Sequence, residues 1–151
     1  IGVPNVELTS KIAQVLKRLG SERVLVVHGH DGLCELTVTS PTHVAELREG
    51  NIKEYEITPE QLGLKTGKLE EISIDTPEES ARIMERIFSG DEKGTAREIA
   101  LANAAGALVV SGQVENLEEG VDLAAKTVDN GKAAEKLNDL IKFSWANHQA
   151  S

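Results

Sequence analysis

The stretch "RVLVVHGHDGLCELTV", residues 23–38, decides the fold class that this sequence predicts. It begins with an uninterrupted run of valine and leucine, which is typical of a β-strand buried on both faces. The run ends in a loop that contains Gly29 and Gly32, and the single cysteine of the chain, Cys34, follows beside Glu35. A buried strand that follows a helix is the pattern of an α/β fold.

The segment before this stretch, "NVELTSKIAQVLKRLG" (residues 5–20), predicts that helix, with Gly20 just past its end. Apolar residues recur in the segment at helical spacing. We expect them to form one buried face: Val6, Ile12, Val15, Leu16 and Leu19.

More strands are predicted after the loop. The residues "ELTV" (35–38) are predicted to resume as a second strand. "HVAELR" and "IKEYEI" alternate on either side of "EGN", which predicts a hairpin with Gly50 and Asn51 in its turn. "ITPEQLGL" predicts a single helical turn. The predicted architecture is an α/β fold with a small mixed sheet flanked by helices.

The remaining sequence is predicted to be helical. Thr76, Pro77 and Glu79 have the spacing of a capped helix start, and Gly90 marks the end of that helix. The next segment, "TAREIALANAAGALVVSG", is rich in small apolar residues and predicts a deeply packed helix.

Two further helices complete the chain. Asn116 is predicted to cap the first of them, and Gly131 separates it from the second. We expect Phe143 and Trp145 to anchor the last helix to the rest of the fold.

The composition limits the classes of function. The 151 residues are 40% hydrophobic but only 3% aromatic, which predicts one domain with an aliphatic core. The net charge of −9 argues against a nucleic-acid partner, because phosphate binding needs clustered Lys and Arg. No apolar run approaches the roughly 20 residues that cross a bilayer, so no membrane partner is expected. A single cysteine and no visible signal peptide predict a cytoplasmic protein.

Asp31 and Glu35 are the first candidates for chemistry. Ligands of α/β folds gather at the C-terminal ends of parallel strands, where this loop would lie. Carboxylate oxygens are the ligands that Mg²⁺ prefers, so the two residues could hold this ion. The alternative is a connecting loop whose glycines turn the chain and whose acids face water, and the local pattern favours this alternative.

Cys34 has three interpretations. A nucleophilic thiol would need a base such as His28, His30 or His43 within reach. A soft-metal site would need further ligands, and the chain has no second cysteine. We favour a small, half-buried filler. His28 and His30 would point to one face if the strand continued, but without a third ligand we favour packing or loop hydrogen bonding for them.

Asn103 lies within the apolar helix and is expected to satisfy a buried backbone or side-chain group. "SGDEKGTA" has two glycines but lacks the lysine–serine/threonine ending of a P-loop, so we interpret it as a connection between helices. The local patterns assign no catalytic and no cofactor-binding residue.

The motifs in this order resemble one enzyme family. "VVHGHDGLCEL" resembles the "VHGxDGLDE" signature of anthranilate phosphoribosyltransferases. The resemblance continues through "VAELREGNIKEYEITPEQLGL" and "GDEKGTAREIALANAAGALVVSG" to "LEEGVDLAAKTVDNGKAAEKLNDL". It implies that residues 1–151 are the C-terminal portion of a phosphoribosyltransferase/nucleoside phosphorylase-like α/β domain. The helical domain and the N-terminal part of the α/β domain are then expected to be missing from this chain.

The resemblance also implies a reaction. Family members transfer the phosphoribosyl group of phosphoribosyl pyrophosphate to anthranilate, a step of tryptophan biosynthesis, and release pyrophosphate. Mg²⁺ assists by neutralising the leaving group. The family's paired acidic residues after "DGL" hold this Mg²⁺, and by position they are Cys34 and Glu35 here. The complete protein is expected to be a homodimer, and the fragment alone is expected to be inactive.

Two departures from the family pattern qualify this expectation. Cys34 stands where the family has Asp, and a thiol is a poor ligand for a hard cation. The family's "GTGGD" loop, its "KHGN" motif and its anthranilate-binding arginine are not in this sequence and are expected upstream of Ile1. Two alternatives stay open: a non-catalytic paralogue that binds nucleic acid or another ligand, and a relative of pyrimidine nucleoside phosphorylases.

Overall fold

The computed structural model describes the backbone of residues 1–148 and the side chains of residues 1–146. Its regular elements, in chain order, are α1 (Glu7–Arg18), β1 (Val24–Gly29), β2 (Thr42–Arg48), β3 (Asn51–Ile57), α2 (Pro77–Ser89), α3 (Thr95–Val110), α4 (Leu117–Asp129) and α5 (Lys132–His148). Two short 3₁₀ turns, Glu60–Leu62 and Leu69–Glu71, lie between β3 and α2. The predicted α/β fold is confirmed. No helix in the described part of the chain is long and apolar enough to cross a membrane.

The three-stranded sheet has the order β1-β2-β3, with β2 at its centre. β1 pairs antiparallel with β2, and β2 pairs antiparallel with β3. The other edge of β1 makes a parallel bridge between Gly2 and Val27. In this bridge the Val3 N–H donates to the Val27 carbonyl at 3.0 Å, and the Val27 N–H donates to the Ile1 carbonyl at 2.9 Å. The strands β1, β2 and β3 therefore form an antiparallel sheet, and this isolated bridge is the parallel pairing found in the residues described.

β1 is buried on both faces, as its continuous apolar run predicted. Leu25 and Val27 contribute to a large core with α3 and α4. Val24 and Val26 point to the opposite face and form a second core with α1. Because side chains alternate along a strand, one strand supplies both cores.

The α1 face differs in part from the prediction. Thr9 and Ala13 are buried, with Leu8, Ile12 and Leu16 packed around them. Three of the predicted face residues are exposed: Val6, Val15 and Leu19. Val6 and Leu19 flank the ends of the helix, and Val15 lies at the edge of its apolar stripe, so none of them faces the sheet.

The hairpin is confirmed, but its turn is displaced by one residue. Glu49 and Gly50 have positive φ angles of 50° and 74°, and Asn51 already pairs with Arg48 in the ladder. A two-residue turn with both φ angles positive matches the twist of the two strands, which explains why the turn is Glu49–Gly50.

The predicted strand at residues 35–38 was wrong. These residues form no ladder and lie in a loop whose backbone groups bond to side chains and to another loop. The Leu36 N–H donates to Asn103 and the Thr37 N–H donates to Thr42. Leu36, Thr37 and Val38 are all buried, so this segment packs into the interior without pairing as a strand.

The predicted helix caps are mostly confirmed. Thr76 accepts a hydrogen bond from the Glu79 N–H at 3.2 Å, and Asn116 accepts one from the Glu119 N–H at 2.9 Å. The reciprocal bond of the capping box is shifted, because the Glu79 carboxylate accepts from the Asp75 N–H. The predicted ends at Gly90 and Gly131 are confirmed.

Phe143 and Trp145 are mostly exposed, so burial of their rings does not anchor α5, which corrects the prediction for these residues. Their exposed fractions are 70% and 65%. Among the α5 side chains that the structure describes, up to residue 146, the half-buried ones lie near the start of the helix: Ala133, Ala134 and Leu137. The second half of the helix therefore extends past the layer formed by α2 and α4.

Gly120 lies at the close crossing of α3 and α4. A Cβ atom on Gly120 would lie 2.8 Å from both Cα and Cβ of Ala105, closer than carbon atoms approach in a packed core. The two helix backbones can pack at this distance only because residue 120 has no side chain.

Gly120→Ala is expected to lower the free energy of unfolding by about 1–3 kcal/mol, because the added methyl group overpacks the crossing. At an open helical position the same change would raise stability, since Ala is the better helix former by about 1 kcal/mol. Chemical denaturation measures the difference. Asp122→Ala, on the exposed face of α4, is the control and should change stability by less than about 0.5 kcal/mol. A gain in stability for Gly120→Ala would contradict the close crossing.

Candidate functional site

Asp31 organises the loop between β1 and β2. Its Oδ1 accepts a hydrogen bond from the Leu33 N–H at 3.0 Å. Its Oδ2 accepts from the Thr37 hydroxyl at 2.6 Å and also from the Thr39 hydroxyl. The Asp31 N–H donates to Ser40 Oγ at 3.0 Å. Both carboxylate oxygens are therefore engaged within the loop, which leaves Asp31 poorly suited to hold a metal ion.

The protonation of Asp31 reflects these bonds. Burial alone would raise its pKa, but hydrogen bonds from Thr37, Thr39, the Leu33 N–H and Ser40 together lower the pKa below the ordinary value. Gly29 leaves room for the carboxylate, because a Cβ there would lie 2.5 Å from Asp31 Oδ1. The glycine at this position thus serves the loop conformation.

Thr37 and Thr39 are residues of this loop whose role was not predicted. The signal was present in "TVTS", where residues two apart in an extended segment lie on the same side of the chain. Such a pair can bond one carboxylate, as Thr37 and Thr39 do with Asp31.

Glu35 lies four residues after Asp31 and has a different environment. It is at the edge of a groove of about 300 Å³ between α2 and α3, lined mainly by aliphatic side chains. Burial, and to a smaller extent the negative charge of Asp31, raises the pKa of Glu35. Its Oε2 accepts a hydrogen bond from Asn103 Nδ2 at 3.2 Å. Glu35 is therefore the carboxylate of this loop that is available to a ligand.

Asn103 on α3 connects the loop to the helical layer. Its Oδ1 accepts from the Leu36 N–H at 3.1 Å, and its Nδ2 donates to the Leu36 carbonyl at 2.8 Å. Nδ2 also donates to the Ile99 carbonyl at 2.9 Å. The prediction that Asn103 satisfies buried polar groups is confirmed, but its contact with Glu35 was not foreseen.

Cys34 is exposed, so the prediction of a half-buried filler was wrong. It is the backbone of this residue that packs, because a Cβ on Gly2 would lie only 1.5 Å from the Cys34 carbonyl oxygen. The three candidate bases bond elsewhere: His28 to the Val3 carbonyl, His30 to Glu56, and His43 to Glu54. None of these three imidazoles is therefore bonded to Cys34, and hydrogen bonding is confirmed for His28.

A Mg²⁺ site in this loop would depend on few protein ligands. No group of three or more His, Cys, Asp or Glu residues that could hold a metal occurs among the residues described. Mg²⁺ is commonly bound through one or two carboxylates, with water and substrate phosphate completing its coordination. Glu35 fits that role, whereas the Cys34 thiol does not supply the hard oxygen that the ion prefers.

Nearly the whole chain is similar to known proteins. Residues 1–134 match the family model described as "Glycosyl transferase family, a/b domain". The anthranilate phosphoribosyltransferase of Desulfosudis oleivorans is 44% identical over 147 residues, which are 97% of this chain and 43% of that protein. The Thermoanaerobacter enzyme of the same name is 44% identical over 143 residues, or 95% of this chain and 42% of that protein. The chain thus spans about two fifths of the length of these relatives.

Solved structures of anthranilate phosphoribosyltransferases have a similar fold. The anthranilate phosphoribosyltransferase of Thermus thermophilus gives a TM-score of 0.85 at 35% identity, covering 94% of this chain and 41% of that chain. The Saccharomyces cerevisiae enzyme in complex with phosphoribosyl pyrophosphate and Mg gives a TM-score of 0.80 at 26% identity, covering 91% and 40%. The similarity extends over nearly all of this chain.

Alanine substitutions at the two carboxylates should separate their roles. Asp31→Ala is expected to lower the free energy of unfolding by about 2 kcal/mol at pH 7, because it removes hydrogen bonds to a charged acceptor. Glu35→Ala is the matched control and should cost less than about 1 kcal/mol, since it removes one long hydrogen bond. Denaturation curves at several pH values measure both changes.

The pH dependence has a definite sign for Asp31. Its folded-state pKa is lowered, so its contribution is complete above the unfolded-state pKa and is lost as the pH falls through the folded-state pKa. The stability difference between the unsubstituted protein and Asp31→Ala should therefore shrink on acidification. A difference that grows in acid would rule out Asp31 as the ionised centre of the loop.

Proposed function

Because this chain belongs to the glycosyl transferase family with an a/b domain, we propose that it is the C-terminal portion of the α/β domain of an anthranilate phosphoribosyltransferase. The observation that carries the proposal is 44% identity to an enzyme of that name over 97% of this chain. The complete protein would transfer the phosphoribosyl group of phosphoribosyl pyrophosphate to anthranilate, giving N-(5-phosphoribosyl)anthranilate and pyrophosphate. This reaction would serve tryptophan biosynthesis in the cytoplasm.

Glu35 is the metal ligand that we propose for this chain. Its carboxylate lies at a groove and accepts one hydrogen bond, from Asn103, whereas both oxygens of Asp31 bond within the loop. The pKa of Glu35 is raised, and a bound cation would lower it. Mg²⁺ would neutralise the charge that develops on the departing pyrophosphate. The role of Glu35 is to hold the cation beside the loop, while Asp31 maintains the loop conformation.

The remaining substrate contacts are assigned to other parts of the complete protein. A phosphate-binding loop, an anthranilate-binding arginine and the helical domain that would form a homodimer are proposed to lie outside residues 1–151. Support comes from the relatives, whose length is more than twice that of the matched segment. We accordingly propose that this chain alone does not catalyse the reaction.

The proposal is tested by assaying the complete protein with anthranilate, phosphoribosyl pyrophosphate and Mg²⁺. Formation of N-(5-phosphoribosyl)anthranilate is the expected result, and chelation of the metal should abolish it. No product under these conditions would favour a non-catalytic paralogue instead. Glu35→Gln, which removes the charge at nearly constant size, should raise the Mg²⁺ concentration needed for half-maximal rate by about tenfold.

Cys34→Asp is expected to lower the Mg²⁺ concentration needed for half-maximal rate by about fivefold, equivalent to about 1 kcal/mol. The reason is that an exposed carboxylate beside Glu35 adds a hard ligand to the loop. Cys34→Ser is the control of similar size without charge and should leave the requirement unchanged. If Cys34→Asp also leaves it unchanged, position 34 does not contact the metal in this protein.

A further inference from the structure

We propose that Asn103 is a positioning residue that sets where the Glu35 carboxylate lies, an inference that rests on the proposed role of Glu35. The two residues are 68 positions apart in sequence and meet through Asn103 Nδ2 and Glu35 Oε2 at 3.2 Å. Asn103 would not touch the substrate. It would act by holding the loop, and with it the carboxylate, at a fixed place on α3.

The orientation of the Asn103 amide is determined by the loop backbone. The Leu36 N–H needs an acceptor and finds Oδ1 at 3.1 Å, so the amide nitrogen must face the opposite direction. There it meets the Leu36 carbonyl at 2.8 Å and the carboxylate of Glu35. A single amide thus binds both backbone groups of one residue and the side chain of the residue before it.

The Glu35 contact is the most adjustable of these bonds. Nδ2 has two protons and three acceptors, and the bonds to the Leu36 and Ile99 carbonyls are shorter than the bond to Glu35. The backbone contacts therefore fix the amide, and the carboxylate takes its place against a donor that is already held. A neutral donor also leaves the negative charge of Glu35 available to a cation, which a lysine or arginine would not.

α3 supplies a rigid base for this arrangement. Leu101, Ala102 and Ala105, on either side of Asn103 in sequence, are buried. Leu36 packs on the same helix, since a Cβ on Gly106 would lie 3.1 Å from its Cδ1. The loop is consequently attached to α3 by both the backbone and the side chain of Leu36.

The test is a double-substitution cycle in the complete protein, with Asn103→Ala and Glu35→Gln made singly and together. Two readouts are used: calorimetric binding of magnesium pyrophosphate, and the Mg²⁺ concentration needed for half-maximal rate. Asn103→Ala should weaken binding of magnesium pyrophosphate about tenfold and raise the half-maximal Mg²⁺ concentration about tenfold, the usual effect of losing a group that orients a metal ligand. In the Glu35→Gln background the same substitution should change each readout by less than about twofold, because the carboxylate that Asn103 positions is absent.

The other outcomes would contradict either the positioning role of Asn103 or the metal role of Glu35. Equal effects of Asn103→Ala in both backgrounds, or none in either, would show that Asn103 does not act through Glu35. If Glu35→Gln itself leaves both readouts unchanged, the proposed metal role of Glu35 fails and the positioning role fails with it.

Loss of the fold is controlled separately. Asn116→Ala removes the cap of α4, far from the loop in sequence, and should lower the unfolding temperature without changing magnesium pyrophosphate binding. Asn103→Ser is the gentler variant at the site. Its hydroxyl can bond the Ile99 carbonyl one turn back but is too short to reach Glu35, so it should weaken binding as Asn103→Ala does. Tight binding by a folded Asn103→Ser protein would overturn the proposal.

Discussion

The docking of Leu36 onto Asn103 is the contact on which the candidate site depends. The loop after β1 enters the interior without joining the sheet, so its backbone groups need partners other than a strand. Asn103 provides them for Leu36, and Thr42 provides one for Thr37. Without the amide, two backbone groups would be buried without partners and Glu35 would lose its connection to α3.

The two carboxylates of the loop have different environments. Asp31 is satisfied by the chain around it, and its lowered pKa records how strongly the loop favours its ionised form. Glu35, held by one amide contact at the edge of an aliphatic groove, pays a desolvation cost when ionised. A cation would remove that cost, which is the physical reason for assigning the ligand role to Glu35 and the scaffolding role to Asp31.

The sheet explains why the loop lies where it does. β1 is paired on both edges, to β2 on one side and to Ile1–Val3 on the other, so no further strand can add to it. The loop that leaves β1 contacts α3 through the bonds of Leu36 to Asn103 before the chain returns as β2. The close crossing of α3 and α4 at Gly120 then fixes the helix to which the loop is attached.

The sequence by itself determined the class of fold, the buried β1 strand, the hairpin and the helix caps, because these follow from local periodicity and from residues such as Thr76, Gly90 and Asn116. Its resemblance to a family also predicts a metal-ligand role for Glu35. Prediction from the sequence failed at residues 35–38, which form a loop with three buried residues instead of a strand. It also failed at Phe143 and Trp145, whose apolar character does not say whether they are buried. Only the tertiary structure decided that both carboxylate oxygens of Asp31 accept hydrogen bonds within the loop and that Glu35 bonds to Asn103. Local sequence patterns cannot relate the residues that make these contacts.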